Sequence, residues 1–127
     1  MLSQNELDTY QEVKKIFTEA FKIPCTGCRY CVPCPFGVDI PNCFAAYNTS
    51  CSISKSQANI QYMWLLMGEP GYASLCKKCG KCEPLCPQKI PIMNSLKEVE
   101  KNMEGIMFKV SKFGVNIFMG KKKSKKK

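Results

Sequence analysis

Eight of the ten cysteines in this chain fall into two short runs. The first is Cys25-Thr26-Gly27-Cys28-Arg29-Tyr30-Cys31-Val32-Pro33-Cys34-Pro35. The second is Cys76-Lys77-Lys78-Cys79-Gly80-Lys81-Cys82-Glu83-Pro84-Leu85-Cys86-Pro87. Thiolates repeated at every third residue make a tight loop that can wrap one face of an iron–sulfur cube. The fourth thiolate must come from another direction. A chain with two such loops is built around them.

The reference spacing is Cys-x2-Cys-x2-Cys-x3-Cys-Pro, used by bacterial ferredoxins, whose fourth cysteine ligates the other cluster. The second run matches it in full; the first has two residues, not three, before its last cysteine. On that precedent two [4Fe-4S] clusters are expected, with crossed ligation. Cluster one takes Cys25, Cys28, Cys31 and Cys86, and cluster two takes Cys76, Cys79, Cys82 and Cys34. The alternative is that each run serves its own cluster. Gly27 and Gly80 sit at different places in their loops, so the two loops need not bend alike. A zinc-stabilised interaction module is a further alternative, but four-thiolate zinc sites usually use two separated Cys-x2-Cys pairs. Disulfides would require an oxidising compartment. Cys43 and Cys51, outside the runs, read as buried or half-buried free thiols.

A chain of 127 residues is one domain with tails, too short for a (β/α)8 barrel. No secretory signal and no apolar stretch of spanning length is readable, so a reducing cytoplasm is expected. The formal charge is +9, and Lys121, Lys122, Lys123, Lys125, Lys126 and Lys127 supply most of it. Two oxidised clusters with eight thiolates would shift the body by about −4. The basic balance therefore belongs to the tail, and no nucleic-acid partner is expected. Histidine is absent, which removes the commonest general base. No dinucleotide or phosphate-binding glycine fingerprint appears. No catalytic site is readable, and electron transfer to or from a partner oxidoreductase is the expected role.

Elements follow from spacing. Ser3-Gln4-Asn5-Glu6 predicts a capping box. A helix bearing Leu7, Tyr10, Val13, Ile16, Phe17, Ala20 and Phe21 follows, stopping before Pro24. Asp39 is a candidate N-cap with Pro41 in the first turn. Cys43 to Tyr47 predicts a short helix and 48–54 a polar loop. A third helix is expected over 56–67, with Gly68 as stop and Ile60, Tyr62, Met63, Trp64, Leu65, Leu66 and Met67 largely buried. Pro91 opens a fourth helix that buries Ile92, Leu96, Val99 and Met103 and ends near Gly105. The segment 106–119 is apolar over a wide arc with a stripe of Lys109, Lys112 and Asn116. It is expected to pack back on the domain or on a partner chain, with membrane-surface contact through 106–127 as the lesser reading. The lysine tail reads as a disordered, solubilising end. The chain is thus mainly α, with two pseudo-symmetric cysteine-loop/helix halves, in which Asp39-Ile40-Pro41 echoes Lys89-Ile90-Pro91. Lys77, Lys78, Lys81 and Lys89 crowd the second run and Arg29 the first, favouring cluster reduction or an acidic redox partner.

The stretch from Ile23 to Pro41, with Phe44 and Tyr47-Asn48 after it, resembles the C-terminal ferredoxin module of iron–sulfur aldo/keto reductases. Cys79 to Pro91 is similar to that module's second half. The likeness covers about residues 3 to 105 and includes the two-residue spacing before Cys34. The resemblance implies an α-helical ferredoxin-like dicluster domain, placed at 1–105, and the residues beyond it read as an amphipathic segment and lysine-rich tail at 106–127. It also implies an aldo/keto reductase chain as redox partner. That family's nicotinamide-binding barrel and its active-site residues have no counterpart here. The chain therefore reads as a stand-alone carrier, a detached redox module or a fragment of a longer reductase.

Overall fold

The computed structural model describes residues 1–67 and 70–118; the Gly68 stop and the lysine tail lie outside them. Five α-helices and three 3-10 turns account for its regular structure, with no strand among the described residues. The helices are α1 (Gln4–Ala20), α2 (Ile40–Ser52), α3 (Lys55–Met63), α4 (Ile92–Met103) and α5 (Ile106–Phe118).

The capping box forms at the start of α1. The Ser3 N–H and hydroxyl donate to the Glu6 carboxylate at 2.7 and 2.9 Å. Both bonds favour the ionised acid, and together they hold its pKa below the usual value. Despite its apolar spacing, α1 buries no residue. It touches α2 and leaves Ile16 and Phe17 exposed. Good local signals suffice to start a helix, but they do not decide what covers it.

Helix α2 is the centre of the core and packs against α3 and α4. It buries Ile40, Cys43, Phe44, Ala46 and Tyr47. It continues through Asn48–Ser52, where the sequence predicts a loop. Local hydroxyls support that extra turn: Thr49 Oγ1 donates to the Ala45 carbonyl at 3.0 Å and Ser52 Oγ to the Asn48 carbonyl at 2.9 Å. Asn48 is buried because its amide serves the backbone of Ile23, accepting from the N–H at 3.1 Å and donating to the carbonyl at 2.8 Å. Asp39 occupies the N-cap position of α2 without capping through its side chain. Its Oδ2 accepts from Asn42 at 2.7 Å instead. Its backbone N–H donates to Gly71 at 2.9 Å, where a Cβ on residue 71 would stand 2.9 Å from the Asp39 Cβ. Only glycine permits that approach.

The third helix ends at Met63, continues as a 3-10 turn over Trp64–Leu66, and is less buried than expected. Tyr62 and Leu66 face the core, whereas Ile60, Met63, Trp64 and Met67 are exposed. A run that is apolar on most sides has only one side turned to α2. Helix α4 behaves as its pattern predicts and buries Ile92, Leu96, Val99 and Met103. Its C-cap is Glu104, which is buried and hydrogen-bonded: Tyr62 Oη donates to its Oε1 at 2.7 Å and the Ser74 N–H at 2.9 Å. The Ala73 N–H in turn donates to Tyr62 Oη at 2.8 Å. This network fixes the chain as it enters the second cysteine run. Helix α5 returns to the domain mainly through Phe108, which is buried against Tyr62 and Tyr72.

Candidate metal centre

Each cysteine run bends through three residues in the left-handed region, at equivalent places in the two halves. Between the first and second cysteines stand Gly27 (φ 69°) and Lys78 (φ 54°). Between the second and third stand Arg29 (φ 65°) and Gly80 (φ 74°). Past the Cys-Pro pairs stand Gly37 (φ 81°) and Lys89 (φ 52°). Glycine fills only some of these positions, which is why its placement suggested two differently bent loops. The backbone path is nevertheless common to both, and non-glycine residues adopt it at a cost in strain. A turn after each last cysteine repeats as well. The Gly37 N–H donates to the Cys34 carbonyl at 2.9 Å and the Lys89 N–H to that of Cys86 at 3.1 Å.

These turns set the register of the two halves. Val38 and Ile40 stand to Cys34 as Ile90 and Ile92 stand to Cys86, and all four are buried. The match of Asp39-Ile40-Pro41 with Lys89-Ile90-Pro91 is therefore displaced: the residue equivalent to Ile90 is Val38. The two prolines are not equivalent, since Pro41 lies inside the first turn of α2, whereas Pro91 is the N-cap of α4.

The folded halves bring each last cysteine to the opposite run. One hollow is lined by Cys25, Cys28, Cys31 and Cys86. The other is lined by Cys76, Cys79, Cys82 and Cys34, with Cys31 on the wall toward the first. Counting their open mouths they hold about 330 and 660 Å³. In each run the second cysteine, Cys28 or Cys79, is exposed and the other three are partly buried.

Electrostatics report the same juxtaposition. The Cys31 thiol is pushed up by burial, and the Cys25, Cys28 and Cys86 thiols beside it add to the shift. Cys82 is pushed up to about 11 by burial, reinforced by Cys76, Glu83 and Cys34. Without a cation, thiols this close hold on to their protons. Among the described residues no three Cys, Asp or Glu side chains are placed to hold a single metal ion. The donors surround hollows instead, and none of the ten cysteines is in a disulfide. A soft, all-thiolate donor set with an inward N–H, Lys78 N to Cys76 Sγ at 3.4 Å, fits an iron–sulfur cluster.

Other parts of the site carry weaker sequence signals. Glu83, inside the second run, accepts from the Met93 N–H at 3.1 Å and so caps α4, whose own N-cap is a proline. Cys43 is fully buried, as expected, and its thiol donates to the Gly71 carbonyl at 3.3 Å. Cys51 is exposed, not half-buried, because the turn of α2 that carries it faces outward. Of the two aromatic residues near the second run, Tyr62 is core and Trp64 lies at the surface.

An all-helical domain with two pseudo-symmetric four-thiol loops defines a two-cluster iron–sulfur protein. The sequence matches a family model described as a 4Fe-4S dicluster domain over residues 24–91. That is more than half of the chain, and the chain belongs to this family. No curated protein and no solved structure matches it. The protein binds two [4Fe-4S] clusters and is an iron–sulfur electron-transfer protein.

Proposed function

We propose that the clusters are held crosswise, one by Cys25, Cys28, Cys31 and Cys86 and the other by Cys76, Cys79, Cys82 and Cys34. Through them the chain relays electrons to or from a partner oxidoreductase. The observation that carries this reading is the lining of the two hollows, in which Cys86 stands with the first run and Cys34 with the second. When bound, each cluster supplies a site that takes up and releases single electrons. The residues around it govern access and charge. Exposed Cys28 and Cys79 mark where a donor or acceptor approaches each cluster, and Cys31, on the walls of both hollows, marks the short path between them.

Lys77, Lys78 and Lys81 surround Cys79 on the exposed side. Their charge favours the reduced state of the nearer cluster and attracts an acidic redox partner. The motif likeness of residues 23–41 and 79–91 points to an aldo/keto reductase as that partner's class. Reduced thiols committed to iron fit the cytoplasm. The dicluster domain extends over 1–105, with 106–127 as an appended segment.

Iron and sulfide analysis after anaerobic purification tests the reading, with about eight of each expected per chain. Cys86→Ser should then remove the first run's cluster signal and spare the second. Loss confined to the second run's cluster would establish uncrossed ligation. One zinc per chain without labile sulfide would replace the clusters by a zinc module.

A further inference from the structure

Helix α5 packs on the domain by one side and leaves a continuous apolar strip on the other. Ile106, Val110, Phe113 and Ile117 recur at helical spacing along the strip, and Met107 and Phe118 widen it. These six are between 64 % and 94 % exposed. Phe108, on the opposite side, is the helix's buried contact. Along the flank of the strip runs a basic cleft of about 1080 Å³, counting its open mouth, bordered by Ile106 itself. Lys97 and Lys101 of α4 and Lys109 and Lys112 of α5 line it. The acids on its wall are Glu100 and Glu104, and Glu104 is already engaged by Tyr62 and Ser74. Beyond Phe118 the sequence continues with six more lysines among its last seven residues.

We propose that α5 and the cleft beside it seat this protein on the surface of an anionic lipid bilayer. An apolar strip with lysines along its edge is the pattern of a helix lying in the membrane interface, where apolar burial and attraction to acidic headgroups act together. No helix among the described residues is long and apolar enough to cross a membrane. Lysines from both helices border the strip, the charge sign that acidic headgroups attract. Here no polar side chain interrupts the six apolar ones, and the charge is gathered at the edge, as a headgroup layer requires. The inference goes beyond the electron-transfer reading and stands whether or not ligation is crossed.

The test is flotation of the cluster-loaded full chain with two sets of vesicles. One is phosphatidylcholine alone; the other is phosphatidylcholine mixed with phosphatidylserine. The protein should float with the second set only, and raised salt should release it. Phe113→Ser combined with Ile117→Ser should weaken flotation by about tenfold or more while leaving cluster absorbance unchanged, because both residues are exposed. Replacing the six terminal lysines by glutamine should weaken it as well. Equal binding to neutral vesicles, no binding to either set, or undiminished flotation of the double variant would overturn the proposal. So would a dimer in sedimentation velocity that the double variant breaks without any vesicle binding, which would assign the strip to a second copy of the chain.

Discussion

Lys89 sits at φ 52° at the place where the other half has Gly37 at φ 81°. A side chain there strains the backbone, and that of Lys89 is exposed. Lys89→Gly should therefore stabilise the folded chain by about 0.5–1 kcal/mol after the entropy of glycine is counted, seen as a higher denaturant midpoint. Two other residues set the chemistry away from the clusters. Burial holds both the Cys43 thiol and the Tyr62 hydroxyl well above their ordinary values of 9.0 and 10.0. A thiol reagent should modify Cys51 in the folded protein and reach Cys43 only on unfolding. Because the folded state keeps both protons, the stability these groups contribute is whole below their ordinary values. It is lost progressively as pH rises above them toward the folded values. The denaturant midpoint should fall from about pH 9 upward, and less steeply in Cys43→Ala.

At the scale of elements, the contacts that matter most join helices to cysteine runs. Asn48 of α2 holds Ile23, immediately ahead of the first run; Tyr62 and Glu104 hold residues 73 and 74, immediately ahead of the second; Glu83 ties the second run to α4. Asn48→Ala leaves the buried Ile23 N–H without its acceptor, a cost of about 1–3 kcal/mol. A chelator should then strip the first run's cluster faster than in the parent and leave the second at its parental rate. The helical turn at 48–52, where composition predicts a loop, belongs to this scale too. Asn, Thr and Ser are weak helix formers by composition, and the last turn of α2 rests on the hydroxyl bonds of Thr49 and Ser52 together with the pairing of Asn48 with Ile23, a segment distant in sequence. The exposed faces of α1 and α3 have the same origin, since periodicity states which residues share a face and not whether another element reaches it.

In the molecule as a whole, Cys25, Cys31, Cys34, Cys76, Cys82 and Cys86 pack against the hydrophobic core. Six of the eight run cysteines are thus part of the interior of a small domain, where metal binding would stabilise the fold itself. Oxidative removal of iron under a chelator should reduce the helical circular dichroism and lower the denaturant midpoint. Anaerobic reconstitution should restore both. A fully retained helical signal and midpoint would mean that α2, α3 and α4 hold their core without the clusters.

The sequence by itself determined the cofactor class, the helical character and the buried face of α4. Thiol spacing and a 3.6-residue period are local signals that need no knowledge of what lies across the fold. It also placed the two loops and named their eight cysteines. Tertiary structure alone decided that both loops follow one backbone path, that Val38 and not Ile40 is the counterpart of Ile90, and that Glu104, Asn48 and Glu83 brace the runs. It alone left α5 with an uncovered apolar strip. Each of these depends on groups distant in sequence meeting or failing to meet, and burial, register and hydrogen-bond partnership exist only once the halves have packed together.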